Sequence, residues 1–171
     1  DSDCTYDSSC YSAGSCSPDS VLAGTGSGLY SAVNAPTANV HQPTCNYNDN
    51  EDYVLEWTPT ETGCATVDTF GSTSDTLLAI YLGCPDSGTE LDCNDDTSSA
   101  TGSYQSQVQT DVTAGITYYI LLTGYYSAPT NSVLNISLDT STACIDSSAG
   151  GDTGGWWDTD GDTGWWWDTG G

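Results

Sequence analysis

Apolar and polar residues alternate with a period of two along the middle of the chain. The alternation is clearest over residues 53–57, 104–112 and 134–138, and it predicts strands with one buried face. Residues 76–82, TLLAIYL, are apolar on both faces, which is typical of a strand enclosed between layers. No segment repeats apolar residues every 3.6 positions, so we expect an all-β protein with almost no helix.

Gly- and Pro-containing turns separate these segments, so we expect a succession of short strands. This spacing predicts an antiparallel β-sandwich over residues 21–138. The composition changes at both ends of that body. A cysteine-rich arm occupies 1–20, a Ser/Ala/Gly linker 139–150, and a Gly/Asp/Thr/Trp tail 151–171.

The charge of the chain is entirely one-sided. It has 24 acidic residues and no Lys or Arg, for a formal net charge of -24, and His41 is its single histidine. Phosphate contacts need Lys or Arg, so nucleic acid is excluded as a partner and anionic membrane surfaces are disfavoured. No apolar run is long enough for a transmembrane helix. Without a G-x-S-x-G motif or a basic residue beyond His41 we expect no enzyme, although carboxylate pairs leave an acid/base glycosidase formally open.

Eight cysteines, an even number without a zinc-type spacing, predict a disulfide-bonded chain that is secreted or held at the cell surface. Because the chain begins at Asp1 without Met, we interpret it as already processed. Three cysteines lie in the N-terminal arm, so at least one of them must bond elsewhere, and we expect Cys144 as its partner. The predicted disulfide residues are Cys4, Cys10, Cys16, Cys45, Cys64, Cys84, Cys93 and Cys144.

Two short acidic motifs are candidate Ca²⁺ sites. Asp158, Asp160 and Asp162 have the spacing of the first ligands of a calcium loop, although Thr163 stands where Gly is usual. The alternative for this motif is a solvated acidic turn. Asn94, Asp95 and Asp96 form the second candidate, for which turn capping by side-chain hydrogen bonds is the alternative.

The tail carries a pair and a triplet of tryptophans, Trp156, Trp157, Trp165, Trp166 and Trp167. Indole rings are common anchors of protein interfaces because they bury a large area at low entropic cost. We predict that these rings bind a neighbouring subunit. Stacking on sugar rings and folding back over the same body are the alternatives.

Residues 50–138 resemble the bacterial pre-peptidase C-terminal domain. The resemblance lies in the order of DYVLEWTPTETG, DTFGSTSDTLLAIY, LDCNDD, VTAGITYYILLTGY and VLNISL. It implies a jelly-roll-like β-sandwich. Members of that family usually follow secreted peptidases, are thought to aid secretion, stability or substrate binding, and in some cases bind calcium.

Two functions fit these features. The first is a secreted structural subunit that self-assembles into an extracellular filament or bacterial surface layer, with the Trp-rich tail docked on the next subunit. The second is a calcium-dependent module that binds a polysaccharide or a protein. We expect a homo-oligomer or homopolymer for the first and a monomer for the second.

Overall fold

The computed structural model describes residues 17–34, 36, 41–45, 50–97 and 104–144. This part of the chain forms nine strands and no helix, which confirms the all-β prediction for the described residues. Cys4, Cys10, Cys16 and the predicted tail residues, Asp158, Asp160, Asp162, Trp156, Trp157, Trp165, Trp166 and Trp167, lie outside the described residues. The strands are β1 Ser20–Leu22, β2 Gly26–Ala32, β3 Tyr53–Trp57, β4 Gly63–Asp68, β5 Thr76–Leu82, β6 Thr89–Asn94, β7 Gln107–Val112, β8 Tyr118–Gly124 and β9 Ser132–Asp139.

The strands form two sheets that pack face to face in a sandwich-like arrangement. One sheet has five strands in the order β1-β3-β8-β5-β6, and the other has four in the order β2-β9-β4-β7. Neighbouring strands are antiparallel with one exception, the parallel pairing of β1 with β3. The exception arises because the chain between them crosses to the other sheet as β2 before it returns.

The core between the sheets is filled by the inward residues that the sequence alternation predicts. Leu55 and Trp57 of β3, and Leu134 and Ile136 of β9, are at most 1% exposed. The indole Nε1 of Trp57 donates a hydrogen bond of 2.8 Å to the carbonyl of Gly24, so its one polar atom is satisfied within the apolar core. This bond also ties the β1–β2 turn to the core.

The outer face of the five-stranded sheet carries a second, smaller apolar cluster. Tyr81 of β5 and Tyr119 of β8 are opposite each other in the sheet and are about 95% buried. Their hydroxyls donate to carboxylates on the flanking strands, Tyr81 to Glu90 at 2.7 Å and Tyr119 to Glu56 at 3.4 Å. Burial is the first cause and the neighbouring glutamate the next in raising the pKa of both tyrosines. The apolar run predicted for β5 is therefore buried on both faces, except at its last residue, Leu82, which is 45% exposed.

Two disulfides join described residues, Cys45–Cys93 and Cys64–Cys144, and Cys84 is also disulfide-bonded. The expectation that Cys144 bonds an N-terminal cysteine is wrong. Cys64 lies opposite Asp139, the last residue of β9, and the Asp139 carboxylate accepts hydrogen bonds from the turn that follows. This turn brings Cys144 back beside Cys64.

The disulfides place the formation of the folded chain in an oxidising compartment. Within the same described ranges there is no helix with the length and apolar character needed to cross a membrane.

Candidate metal centre

Three aspartates converge at one end of the five-stranded sheet. Asp75 immediately precedes β5, and Asp95 and Asp96 immediately follow β6. Because these two strands are antiparallel, with Leu78 opposite Asn94, the start of β5 lies beside the end of β6. The hairpin therefore brings the three side chains together, and one carboxylate oxygen of each lies within 4.8 Å of the others.

Two of these carboxylates have an enclosed oxygen with no donor to bind. Oδ1 of Asp75 and Oδ1 of Asp96 are inaccessible to solvent, and neither accepts a hydrogen bond from the described residues. A buried acceptor left without a partner destabilises a protein by about 1–3 kcal/mol, and by more when it is charged. A cation bound between the carboxylates would supply the missing contact.

The electrostatics of the cluster also call for a positive charge. Burial, followed by the negative charges of Asp96 and Asp95, raises the pKa of Asp75 above its ordinary value. The chain has no Lys or Arg to offset the repulsion. The Nδ1 atom of His41 lies 2.7 Å from Oδ1 of Asp86, and His41 is not part of the cluster. A bound cation would offset the repulsion among the three carboxylates.

A buried network of hydroxyl groups holds the backbone beneath the cluster. Thr69, Thr76 and Ser106 are 0% exposed, and the Thr69 and Thr76 hydroxyls are 2.6 Å apart. The Ser106 hydroxyl oxygen lies 2.6 Å from the carbonyl of Asp95. On the other segment, the N–H of Tyr125 donates to the Asp75 carbonyl at 3.2 Å. Both segments that carry the aspartates are thus tied to neighbouring strands and turns by hydrogen bonds.

Asn94, predicted as a ligand, lies next to the cluster, and its side chain makes two structural hydrogen bonds. Its Oδ1 accepts from the N–H of Gln107 at 3.1 Å, and its Nδ2 donates to the carbonyl of Asp96 at 3.3 Å. These contacts join the end of β6 to β7 and fix the Asp95–Asp96 turn. They are the turn-capping contacts that the sequence offered as the alternative to a metal site at this motif.

The ligand chemistry favours a hard divalent cation. Three carboxylates offer up to six oxygens and neither nitrogen nor sulfur, a set that suits Ca²⁺ and Mg²⁺ and not zinc or copper. Ca²⁺ accepts six to eight oxygens in flexible geometry, whereas Mg²⁺ demands a near-ideal octahedron and keeps most of its waters. A cluster of three aspartates therefore fits Ca²⁺ better.

A second group of potential ligands in the described residues, Cys64, Cys144 and Asp111, has a different role. Both sulfur atoms are joined in the disulfide, so they are not available as thiolate ligands. The Asp111 carboxylate accepts the backbone N–H of Cys144 at 2.7 Å, which holds Cys144 beside β7.

Sequence reasoning found Asp95 and Asp96 but missed Asp75, the third member of the cluster. Asp75 is separated from the pair by the whole β5–β6 hairpin, so no local motif connects them. The signal that could have found it is the position of Asp75 directly before one strand of a predicted hairpin and of Asp95 directly after the other. Antiparallel pairing brings two such positions together.

No family model, no curated protein and no solved structure matches this chain. The resemblance to the pre-peptidase C-terminal domain stays a prediction.

Proposed function

We propose that the chain is a secreted, non-catalytic β-sandwich module that binds Ca²⁺ through Asp75, Asp95 and Asp96. The ion orders the loops at this end of the sandwich for attachment to a polysaccharide or a protein. The observation that carries the proposal is the pair of enclosed oxygens, Asp75 Oδ1 and Asp96 Oδ1, that have no donor among the described residues.

The compartment supports this choice of ion. Disulfides belong to oxidising, extracytoplasmic environments. Extracellular modules typically bind Ca²⁺ with dissociation constants of about 10⁻⁴–10⁻³ M. A site of three carboxylates that relies on loop backbone for its geometry fits this weak range.

We further propose that the fold is a jelly roll. The sheets β3-β8-β5-β6 and β2-β9-β4-β7 interleave strands that are distant in sequence, as expected of two Greek keys wound into a double sheet. In this interpretation β1 is an added edge strand. The same arrangement agrees with the resemblance to the pre-peptidase C-terminal domain.

Thermal unfolding in Ca²⁺ and in chelator tests the cation site. At about a hundredfold excess over the dissociation constant, Ca²⁺ should stabilise the protein by about 2.7 kcal/mol. In Asp96→Asn this stabilisation should be strongly reduced. Because the substitution also removes like-charge repulsion, the variant should be at least as stable as the wild type in chelator.

Glu61→Gln is the matched control, since Glu61 is exposed and lies outside the cluster. It removes the same charge and should leave the calcium effect unchanged. An equal calcium response in the wild type, Asp96→Asn and Glu61→Gln would refute the proposed site. Such a result would assign the response to general screening of the acidic surface.

A second proposed function is that of a structural subunit that self-assembles into a filament or layer. It is supported by a different observation from the calcium site. The tail that was predicted to dock lies outside the described residues. The strands β1 and β2, however, are edge strands of their sheets, and residues 20–34 contain no Asp or Glu, which favours contact between copies at these strands.

A further inference from the structure

The two sheets end on two sides of the sandwich, and these sides differ in how their edge strands are covered. On one side the edge strands are β6 and β7, and on the other they are β1 and β2. Residues 23–25 alone connect β1 to β2, so the end of one edge strand lies near the start of the other. We call residues 20–34 the uncharged side.

The edges opposite the uncharged side are covered by side chains and by a neighbouring segment. Backbone N–H groups of β7 that point away from β4 donate to β6 side chains, Gln107 to Asn94 at 3.1 Å and Gln109 to Asp92 at 2.7 Å. The edge of β6 is covered by residues 41–45, which are held by the Cys45–Cys93 disulfide and by Thr44 on Glu90. This side has few free backbone groups to offer a partner.

The uncharged side is open by comparison. The pairing of β2 with β9 occupies one edge of β2, and no described strand pairs with its other edge. Two large apolar side chains of the uncharged side face solvent, Val21 in β1 and Val33 directly after β2, and each is 67% exposed. An unpaired edge beside exposed valines is the kind of surface to which another strand adds.

The distribution of charge points to the occupant of this surface. Residues 20–48 contain no Asp or Glu, although the chain has 24 acids. The nearest acids of the flanking segments are Asp19, directly before β1, whose carboxylate accepts the N–H of Val54 at 2.7 Å, and Glu56 in β3, which accepts from Tyr119. A second copy carries the same net charge of -24, so like-charge repulsion opposes its approach at acidic surfaces. The uncharged side is where that repulsion is weakest.

We propose that the uncharged side is an interface with a second copy of this chain. In this dimer the outer edge of β2 pairs antiparallel with the β2 of the partner about a twofold axis, and Val21 and Val33 of both copies become covered. The regular part of β2 begins at Tyr30, because the register with β9 shifts between Gly26 and Tyr30. The shift restricts the pairing between copies to the short segment from Tyr30 onward. A twofold interface uses the same surface on both copies, so the assembly stops at a dimer.

Sedimentation velocity of the full chain from about 1 to 100 µM tests this interface by mass action. We expect a monomer–dimer equilibrium that tightens when salt is raised from about 0.15 to 1 M, because screening weakens the remaining repulsion. Ser31→Asp and Val33→Asp each place a charge at exposed positions of the interface, and each should weaken dimerisation by at least about tenfold. Thr113→Asp, at an exposed turn elsewhere, should leave it unchanged.

Three results would overturn the proposal. They are a wild type that stays monomeric at the highest concentration in both salts, a dimer that both interface variants leave intact, and an assembly lost only on deletion of 151–171. Circular dichroism of each variant establishes that its strands are retained, and the two substitutions provide independent readings. The dimer should persist in chelator, so failure of this interface and failure of the calcium site are separate outcomes.

Discussion

The backbone N–H of Gln109 in β7 donates a 2.7 Å hydrogen bond to the side chain of Asp92 in β6. The bond joins the edge of one sheet to the edge of the other. It also occupies a backbone donor that would otherwise face solvent on an unpaired edge. A carboxylate thus acts here as a cover for an edge strand, in a chain that has no lysine to place there.

Replacing Asp92 with alanine should destabilise the fold by about 1 kcal/mol, because Gln109 is exposed and water can partly replace the lost acceptor. The variant should also associate more readily through the uncovered edge. Urea unfolding and sedimentation measure the two effects. Glu61→Ala removes an equal charge at an exposed site and should change neither; equal effects of the two substitutions would show that charge, not edge coverage, is responsible.

Loss of the Cys45–Cys93 disulfide should lower the free energy of unfolding by about 4 kcal/mol, since the bridge spans 48 residues and chain-entropy estimates grow with loop length. The double variant Cys45→Ala/Cys93→Ala also frees Thr44 from Glu90, so residues 41–45 should become susceptible to proteolysis. Urea unfolding of the purified variant, with the other disulfides verified by mass spectrometry, gives the value. A loss well below 1 kcal/mol would mean that the hydrogen bonds alone hold this segment.

Ser106→Ala should destabilise the protein by about 1–3 kcal/mol, because it removes the hydroxyl that lies 2.6 Å from the part-buried Asp95 carbonyl and also contacts the buried Thr76 carbonyl. It should also weaken calcium binding, since that carbonyl belongs to a cluster residue. Ser87→Ala, at an exposed turn position, is the control and should have no effect on either quantity. If Ser106→Ala binds calcium as tightly as the wild type, the hydroxyl network does not contribute to calcium binding at the cluster.

The raised pKa of Asp75 gives a pH dependence with a definite sign. The pKa of Asp75 is about 4 in the unfolded chain and higher in the folded protein. At pH values between these two pKa values, Asp75 binds its proton more tightly in the folded state than in the unfolded state. The contribution of Asp75 to stability is therefore greatest below this window and falls as pH rises through it. In chelator, the stability advantage of Asp75→Asn should grow with pH over the same window.

Saturating Ca²⁺ should reverse that trend, because the ion competes with the proton for the same oxygens. The wild type should then gain stability over Asp75→Asn as pH rises. Unfolding curves from pH 4 to pH 8, with and without Ca²⁺, measure both slopes. Parallel curves for the two proteins in chelator would contradict the assigned burial of Asp75.

Most of the strands could be predicted from the alternation of apolar and polar residues. The alternation over 104–112 predicted the inward Val108 and Val112, which are at most 2% exposed. The predicted strand starts too early, at Tyr104. The Tyr104 carbonyl accepts the N–H of Thr76, and the N–H of Ser106 donates to the Thr69 hydroxyl where a β4 carbonyl would be the partner in the ladder. The alternation of apolar and polar residues shows which face of a strand each side chain occupies. It does not show where hydrogen bonds to a neighbouring turn end the pairing of the strand.

The parts that the sequence left open depend on long-range geometry. Eight cysteines allow about 105 pairings, and the contact of Cys64 with Cys144 follows only from the position of the β9 turn. The parallel pairing of β1 with β3 and the addition of Asp75 to the cluster likewise require the strand order. In each case the contact is between residues that are far apart in the sequence and share no local motif.

Isothermal titration of Ca²⁺ into the full chain tests the central claim most directly, because it measures stoichiometry and affinity without reference to stability. Wild-type protein should show a site with a dissociation constant of about 10⁻⁴–10⁻³ M, and Asp75→Asn and Asp96→Asn should each lose one equivalent of binding. Glu61→Gln should retain it. Isotherms that are identical for the wild type and both aspartate variants would contradict a calcium site at this end of the sandwich.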